Sequence, residues 1–196
     1  EQGATLIGKE AGKALTTGAY NTVMGRGALK TATTTTACIA IGDQAMQYTP
    51  AGAAITGVIA IGMAALNDAP NLSTNANNSV AIGLGAGTNA TGLAAEFVLI
   101  GSYAGQKIGG TGVTHIGYEA GQYASGSYNT FVGKDAGKGA TTSTPFSTGT
   151  YNTAVGSQAM ENFTTGFSNV AVGSNALYQD TTGQYNTAVG SGALFA

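Results

Sequence analysis

The sequence predicts an all-β fold, a parallel β-roll or solenoid of about eleven short coils, and three observations carry that prediction. A glycine that follows an aliphatic residue or Met, and precedes an alanine by three positions, recurs at Gly8, Gly25, Gly42, Gly62, Gly83, Gly101, Gly117, Gly133, Gly156, Gly173 and Gly190. The intervals are 17, 17, 20, 21, 18, 16, 16, 23, 17 and 17 residues, the period of a repeat array. Composition agrees: 32 glycines, abundant Thr and Ala, no Trp and only 8% charged residues describe turns and thin strands and exclude a helical bundle.

Just before each glycine stand Ile7, Met24, Ile41, Ile61, Ile82, Ile100, Ile116, Val132, Val155, Val172 and Val189, nearly all β-branched and suited to strands. Three before it stand Thr5, Thr22, Ile39, Ile59, Val80, Val98, Thr114, Thr130, Thr153, Val170 and Thr187. In an extended segment these two rows share a side, expected to be the interior of the coil. Between them lie Leu6, Val23, Ala40, Ala60, Ala81, Leu99, His115, Phe131, Ala154, Ala171 and Ala188, a row expected to face outward. A strand apolar on both faces is normally covered on both, and a coil this thin covers one. The second face therefore calls for a partner, and closed association of identical chains is the usual solution.

The residues after each glycine, among them Lys9, Glu10, Arg26, Asp43, Glu119, Lys134 and Asp135, read as a solvated turn. A Thr-Thr-Gly turn at Thr16, Thr17 and Gly18 recurs at Thr164 to Gly166 and Thr181 to Gly183, so each coil is expected to hold two short strands and two turns. The residue after the repeat alanine is Gly12, Gly87, Gly105, Gly121 or Gly137 in some coils and Leu29, Met46, Leu66, Met160, Leu177 or Leu194 in others, which predicts a varying cross-section. Stacked at ~4.8 Å, eleven coils make a rod roughly 50 Å long. Pro50, Pro70 and Pro145 fall in the three longest intervals, so segments 47–57, 67–78 and 138–150 read as surface loops and candidate receptor contacts. Residues 1–196 read as one array, and its stop at the close of a repeat, Leu194-Phe195-Ala196, points to a piece of a longer fibre.

A net charge of −2 without a basic stripe argues against nucleic acid as a partner. No apolar run approaches about 18 residues, which argues against membrane insertion. Cys38 is the only cysteine and forms no internal disulfide.

The copies Asn78-Ser79-Val80-Ala81-Ile82-Gly83 and Asn186-Thr187-Ala188-Val189-Gly190 resemble the head repeats of trimeric autotransporter adhesins of the YadA-like kind. The longer form, Thr182-Gly183-Gln184-Tyr185-Asn186-Thr187-Ala188-Val189-Gly190, is similar to repeats of bacteriophage tail fibres. The resemblance covers nearly the whole chain. It implies a left-handed β-roll, a side-by-side homotrimer and an extracellular place on a virion or bacterial surface. The partner it implies is a cell-surface glycan or protein receptor.

Other motifs are weighed against this frame. Ala81 to Gly87 has the glycine density of a phosphate loop but no helical period follows, and Gly133 to Gly139 misses the P-loop spacing and hydroxyl, so no cofactor is expected. His115, on a row thought to face a threefold axis, could meet its symmetry mates and hold a metal; a packed neutral His is favoured, and no metal is expected. Asn21, Asn129, Asn152, Asn169 and Asn186, four before the glycine, suit a ladder of side-chain amides, with Cys38 a small buried thiol in the same column. Tyr20, Tyr128, Tyr151 and Tyr185, one residue earlier, either form a sugar-stacking stripe or cover a neighbouring coil. Polysaccharide hydrolysis needs two carboxylates roughly 5–10 Å apart, and Glu10, Asp43, Glu119 and Asp135 read as scattered turn charges, so no enzyme is expected. An ice-binding solenoid needs a flat Thr array, whereas Thr33 to Thr36 is one local run. The expectation is a structural and adhesive fibre segment, first of a phage tail fibre, second of a bacterial adhesin head.

Overall fold

The computed structural model describes residues 3–50, 52–67, 77–90, 96–140 and 146–195. Its strands are β1 (Thr5–Ile7), β2 (Thr22–Met24), β3 (Ile39–Ile41), β4 (Ile59–Ile61), β5 (Val80–Ile82), β6 (Val98–Ile100), β7 (Thr114–Ile116), β8 (Thr130–Val132), β9 (Thr153–Val155), β10 (Val170–Val172) and β11 (Thr187–Val189). They pair in chain order as one parallel sheet, each glycine-anchored triplet in register with the next, as in Leu99↔His115↔Phe131. The chain is a β-solenoid of about 10 turns, without a helix among the described residues.

The second strand expected in each coil does not form. Outside the sheet only isolated bridges occur among the described residues: Thr36↔Thr56, Ala124↔Ser147 and Phe167↔Gln184. The turn after the glycine explains why. Its second residue has a left-handed φ (Glu10 60°, Gln44 59°, Tyr103 58°), and so does its fourth (Leu29 49°, Met46 49°), a backbone that no strand adopts. Its amides still point along the rod. Leu29 N–H donates to the Ala45 carbonyl at 2.9 Å, Met46 to Ala65 at 2.9 Å and Met160 to Ala176 at 2.9 Å, so ladder bonding continues where strand geometry stops. The anchor glycines stack backbone on backbone. Gly8 has φ 126°, and a Cβ there would lie 2.7 Å from the Gly25 carbonyl oxygen, so both conformation and contact require glycine.

The strand faces are the reverse of the expectation. The middle residues, including Ala40, Ala60, Ala81, Leu99, His115 and Phe131, are fully buried inside the coil, while the Thr, Ile and Val rows point outward. Those rows are half-buried in the central coils and exposed at Ile7, Met24, Val155, Val172 and Val189. The turn supplies the reason: it brings its own apolar side chains, such as Leu29, Met46, Ile108 and Phe163, into the interior, which leaves room for one inward residue per strand.

The interior is filled from one wall or the other. Where the strand centre is large, at Leu6, Leu99, His115 and Phe131, the turn carries Gly12, Gly105, Gly121 and Gly137; a Cβ on Gly121 would collide with the His115 ring and one on Gly137 with the Phe131 ring. Where the centre is Ala40, Ala60, Ala154 or Ala171, the turn delivers Met46, Leu66, Met160 or Leu177 to the same space. Ala81 and Gly87 are both small, and Leu66 and Leu99 of the adjoining coils reach in: a Cβ on Gly87 would lie 2.6 Å from Leu66 Cδ2 and 3.1 Å from Leu99 Cδ1. Glycine in the turn thus accompanies a large strand residue, and a large turn residue accompanies a small one, so each shares one close-packed interior space.

At the entry to each strand the Asn side chains form a buried ladder. Asn129 Oδ1 accepts from Asn152 N–H at 2.9 Å, Asn152 Oδ1 from Asn169 N–H at 3.0 Å, and Asn169 Oδ1 from Asn186 N–H at 2.9 Å. Each Nδ2 donates across the coil, Asn152 to the Gly166 carbonyl at 2.8 Å and Asn169 to the Gly183 carbonyl at 2.7 Å. Asn21 does the same for Cys38 N–H and the Thr35 carbonyl at 3.0 and 2.8 Å.

Candidate functional site

The inversion of the strand faces defines the candidate site. The outward face of the sheet consists of two columns, Thr5 to Thr187 and Ile7 to Val189, that run through all eleven strands. Of these 22 positions, 15 are Ile or Val, 6 are Thr and 1 is Met, so the face carries no charge. Its backbone groups are occupied by the parallel ladder, so the face presents stiff, mostly β-branched side chains. Contiguous apolar surface of this extent marks an interaction site in soluble proteins.

Beside this face runs the column that contains the tyrosines. All eleven of its members have left-handed φ: Gly3, Tyr20, Ala37, Gly57, Asn78, Glu96, Gly112, Tyr128, Tyr151, Ser168 and Tyr185. The kink turns the chain into each strand. Tyrosine rarely adopts this conformation, so the tyrosines concealed the kink in the sequence; Gly3, Gly57, Gly112 and Asn78 in the same column were its signal. The rings lie along the rod over neighbouring coils. Tyr128 and Tyr151 stack with centroids 5.0 Å apart, and Phe167 meets Tyr185 edge-on at 5.2 Å, while Tyr20, Tyr128, Tyr151 and Tyr185 are all exposed.

No protein-family model, curated protein or solved structure matches the chain.

His115 lies inside its own coil, fully buried and stacked on Phe131 at 4.9 Å and 18°, rather than on the outward face where the sequence placed it. Burial pushes its pKa down to about 3, so the imidazole is neutral, and neither ring nitrogen has a hydrogen-bond partner. Among the described residues no three of His, Cys, Asp and Glu are grouped as metal ligands would be. Cys38 is buried, its thiol pKa raised by desolvation.

Of the three proline loops, Pro70 and Pro145 lie outside the described residues, and Pro50 is half-buried. Among the described residues of segment 47–57, Gln47, Thr49 and Ile55 are buried, with Thr31 Oγ1 donating to the Gln47 and Thr49 carbonyls at 3.0 and 2.9 Å, while Tyr48, Gly52, Ala54 and Thr56 are exposed. The turn acids are paired. Glu10 sits between Lys13 and Lys30 at 3.0 and 2.8 Å, and hydrogen bonds from Lys30 and Lys13 hold its carboxyl down to about 2. Asp43 takes Arg26 at 2.8 Å. Asp135 is buried rather than solvated, with Lys138 at 3.5 Å and Lys134 at 3.6 Å.

Proposed function

We propose that this chain is a structural and adhesive segment of a left-handed, trimeric fibre, most simply a bacteriophage tail fibre that takes part in host attachment. The alternative within the same architecture is the head of a bacterial trimeric autotransporter adhesin. The observation that carries the reading is the uncharged outward face of the sheet, 22 positions of Ile, Val, Thr and Met that run the length of the rod. Two further copies side by side would cover it. Association of identical chains by closed symmetry fits a surface that repeats itself coil by coil. The parallel ladder would give stiffness along the rod, and each loop, shown three times around it, would bind a cell-surface receptor multivalently. No catalytic role is assigned.

Ile82 lies in the fifth of the eleven strands, near the middle of the face. An Ile82→Glu variant, which would bury an unpaired charge in the interface, should sediment as a 19.3 kDa monomer. Unchanged assembly in that variant would sink the interface assignment.

A second reading has one observation in its favour. Thr114, Thr130 and Thr153 occupy consecutive coils, and their column faces outward, as an ice-binding surface requires. Thermal hysteresis in dilute solution would select that reading; the fibre reading predicts none.

A further inference from the structure

Charge is unevenly placed in this sparsely charged chain. Four of its seven basic side chains, Lys9, Lys13, Arg26 and Lys30, stand on the first two turns, where Glu10 and Asp43 are their counter-charges among the described residues. Glu10 is engaged by Lys13 and Lys30, and Asp43 accepts two hydrogen bonds from Arg26 at 3.0 and 2.8 Å, while Lys9 makes no ion pair among the described residues. Two positive charges are left in excess. The other charged cluster, Glu119, Asp135, Lys134 and Lys138, is balanced.

The basic cluster surrounds a cavity of about 250 Å³, lined by Lys9, Glu10, Arg26, Lys30, Gln44 and Gln47 around Gly27. Its cause is local. Gly27 and Gly85 occupy the same turn position, two residues after the anchor glycine, with φ 65° and 60°. Over Gly85 the next coil places Tyr103, whose Cδ1 would lie 2.9 Å from a Cβ built on Gly85. Over Gly27 the next coil places Gln44, with the same backbone (φ 59° against 58°), and the notch stays open; a Cβ there would meet only the Gln47 amide, at 3.2 Å.

We propose that this notch binds a carboxylated saccharide. Lys9, which has no ion pair among the described residues, and Lys30, which shares Glu10 with Lys13, would meet the sugar carboxylate, and the Gln44 and Gln47 amides and Glu10, which together donate and accept, would meet the ring hydroxyls. The lining offers no apolar side chain, which disfavours a lipid or aromatic ligand. The volume falls below the range of about 300–1,000 Å³ typical of drug-sized ligands and suits a single sugar residue. This inference rests on the adhesive reading above and gives it a ligand class.

The test is calorimetric titration of the whole chain with sodium glucuronate, glucose and inorganic phosphate. Glucuronate should bind about tenfold more tightly than either of the others. Lys9→Gln should weaken it about threefold or more, and Gln44→Tyr, which repeats over Gly27 what Tyr103 does over Gly85, should abolish it. Both positions are on the surface, and an unchanged unfolding transition will show that the fold is intact; if Gln44→Tyr does not fold, Lys9→Gln decides. Absence of glucuronate binding, equal binding of glucose or phosphate, or full binding by the variants would overturn the inference. A trimer that ignores glucuronate would overturn this inference alone, whereas a monomer that binds it would overturn the fibre and leave the notch standing.

Discussion

Two adjacent coils solve the same packing problem from opposite walls. In the coil of β8 the interior is filled from the strand by Phe131, and the turn yields with Gly137. In the coil of β9 the strand contributes only Ala154, and Met160 fills the space from the turn. Both interiors are closed, and the two strands remain in register with unchanged pairing. The difference teaches that the repeat conserves the volume of each layer rather than the residue at any one position. The outward face stays continuous as a result, because variation in core size is absorbed behind it.

The comparison can be broken by removing one filler. Phe131→Ala should cost about 3–5 kcal/mol, read by denaturant unfolding at fixed protein concentration, since Gly137 supplies nothing to replace the ring. It can be sharpened by converting the coil of β8 into the other type. Gly137→Met alone should destabilise by about 1–3 kcal/mol through overpacking, yet together with Phe131→Ala it should recover much of the loss, with a coupling of about 0.5–3 kcal/mol. The left-handed backbone at that position does not forbid Met, because Met160 has φ 51° in the equivalent place. Strictly additive effects would refute the compensation.

The entry ladder predicts a further loss. Asn152→Ala removes the acceptor of the Asn169 amide and the donor to the Gly166 carbonyl, and should cost about 1–3 kcal/mol. The smallest effect per step is the pH dependence of His115. Its folded pKa, about 3, lies below the ordinary value of 6.5, so between these values the unfolded chain binds the extra proton. Stability is therefore full above pH 6.5 and falls by about 1.4 kcal/mol per pH unit below it. His115→Phe should abolish that slope, and identical pH profiles for the two proteins would contradict the buried neutral imidazole.

Strand positions were legible in the sequence because the anchor glycines and β-branched flanks mark them directly. The direction of the strands was not. Both faces of each triplet are apolar, so polarity could not say which points inward, and the expected order was inverted. A signal was nonetheless present: Leu6, Leu99, His115 and Phe131 are followed by Gly12, Gly105, Gly121 and Gly137, whereas Ala40 and Ala154 are followed by Met46 and Met160. Columns whose sizes compensate share one space, which identifies the middle row as interior. The Asn ladder was readable from its spacing alone. The notch at Gly27 was not, because it depends on Gln44 rather than an aromatic ring standing over it.

The proposed homotrimer makes the uncharged outward face an interface between copies of this chain. Light scattering after size exclusion tests it most directly. A homotrimer will scatter as a particle of three times the 19.3 kDa chain mass that persists on dilution. A stable 19.3 kDa species with this face open to water would contradict it.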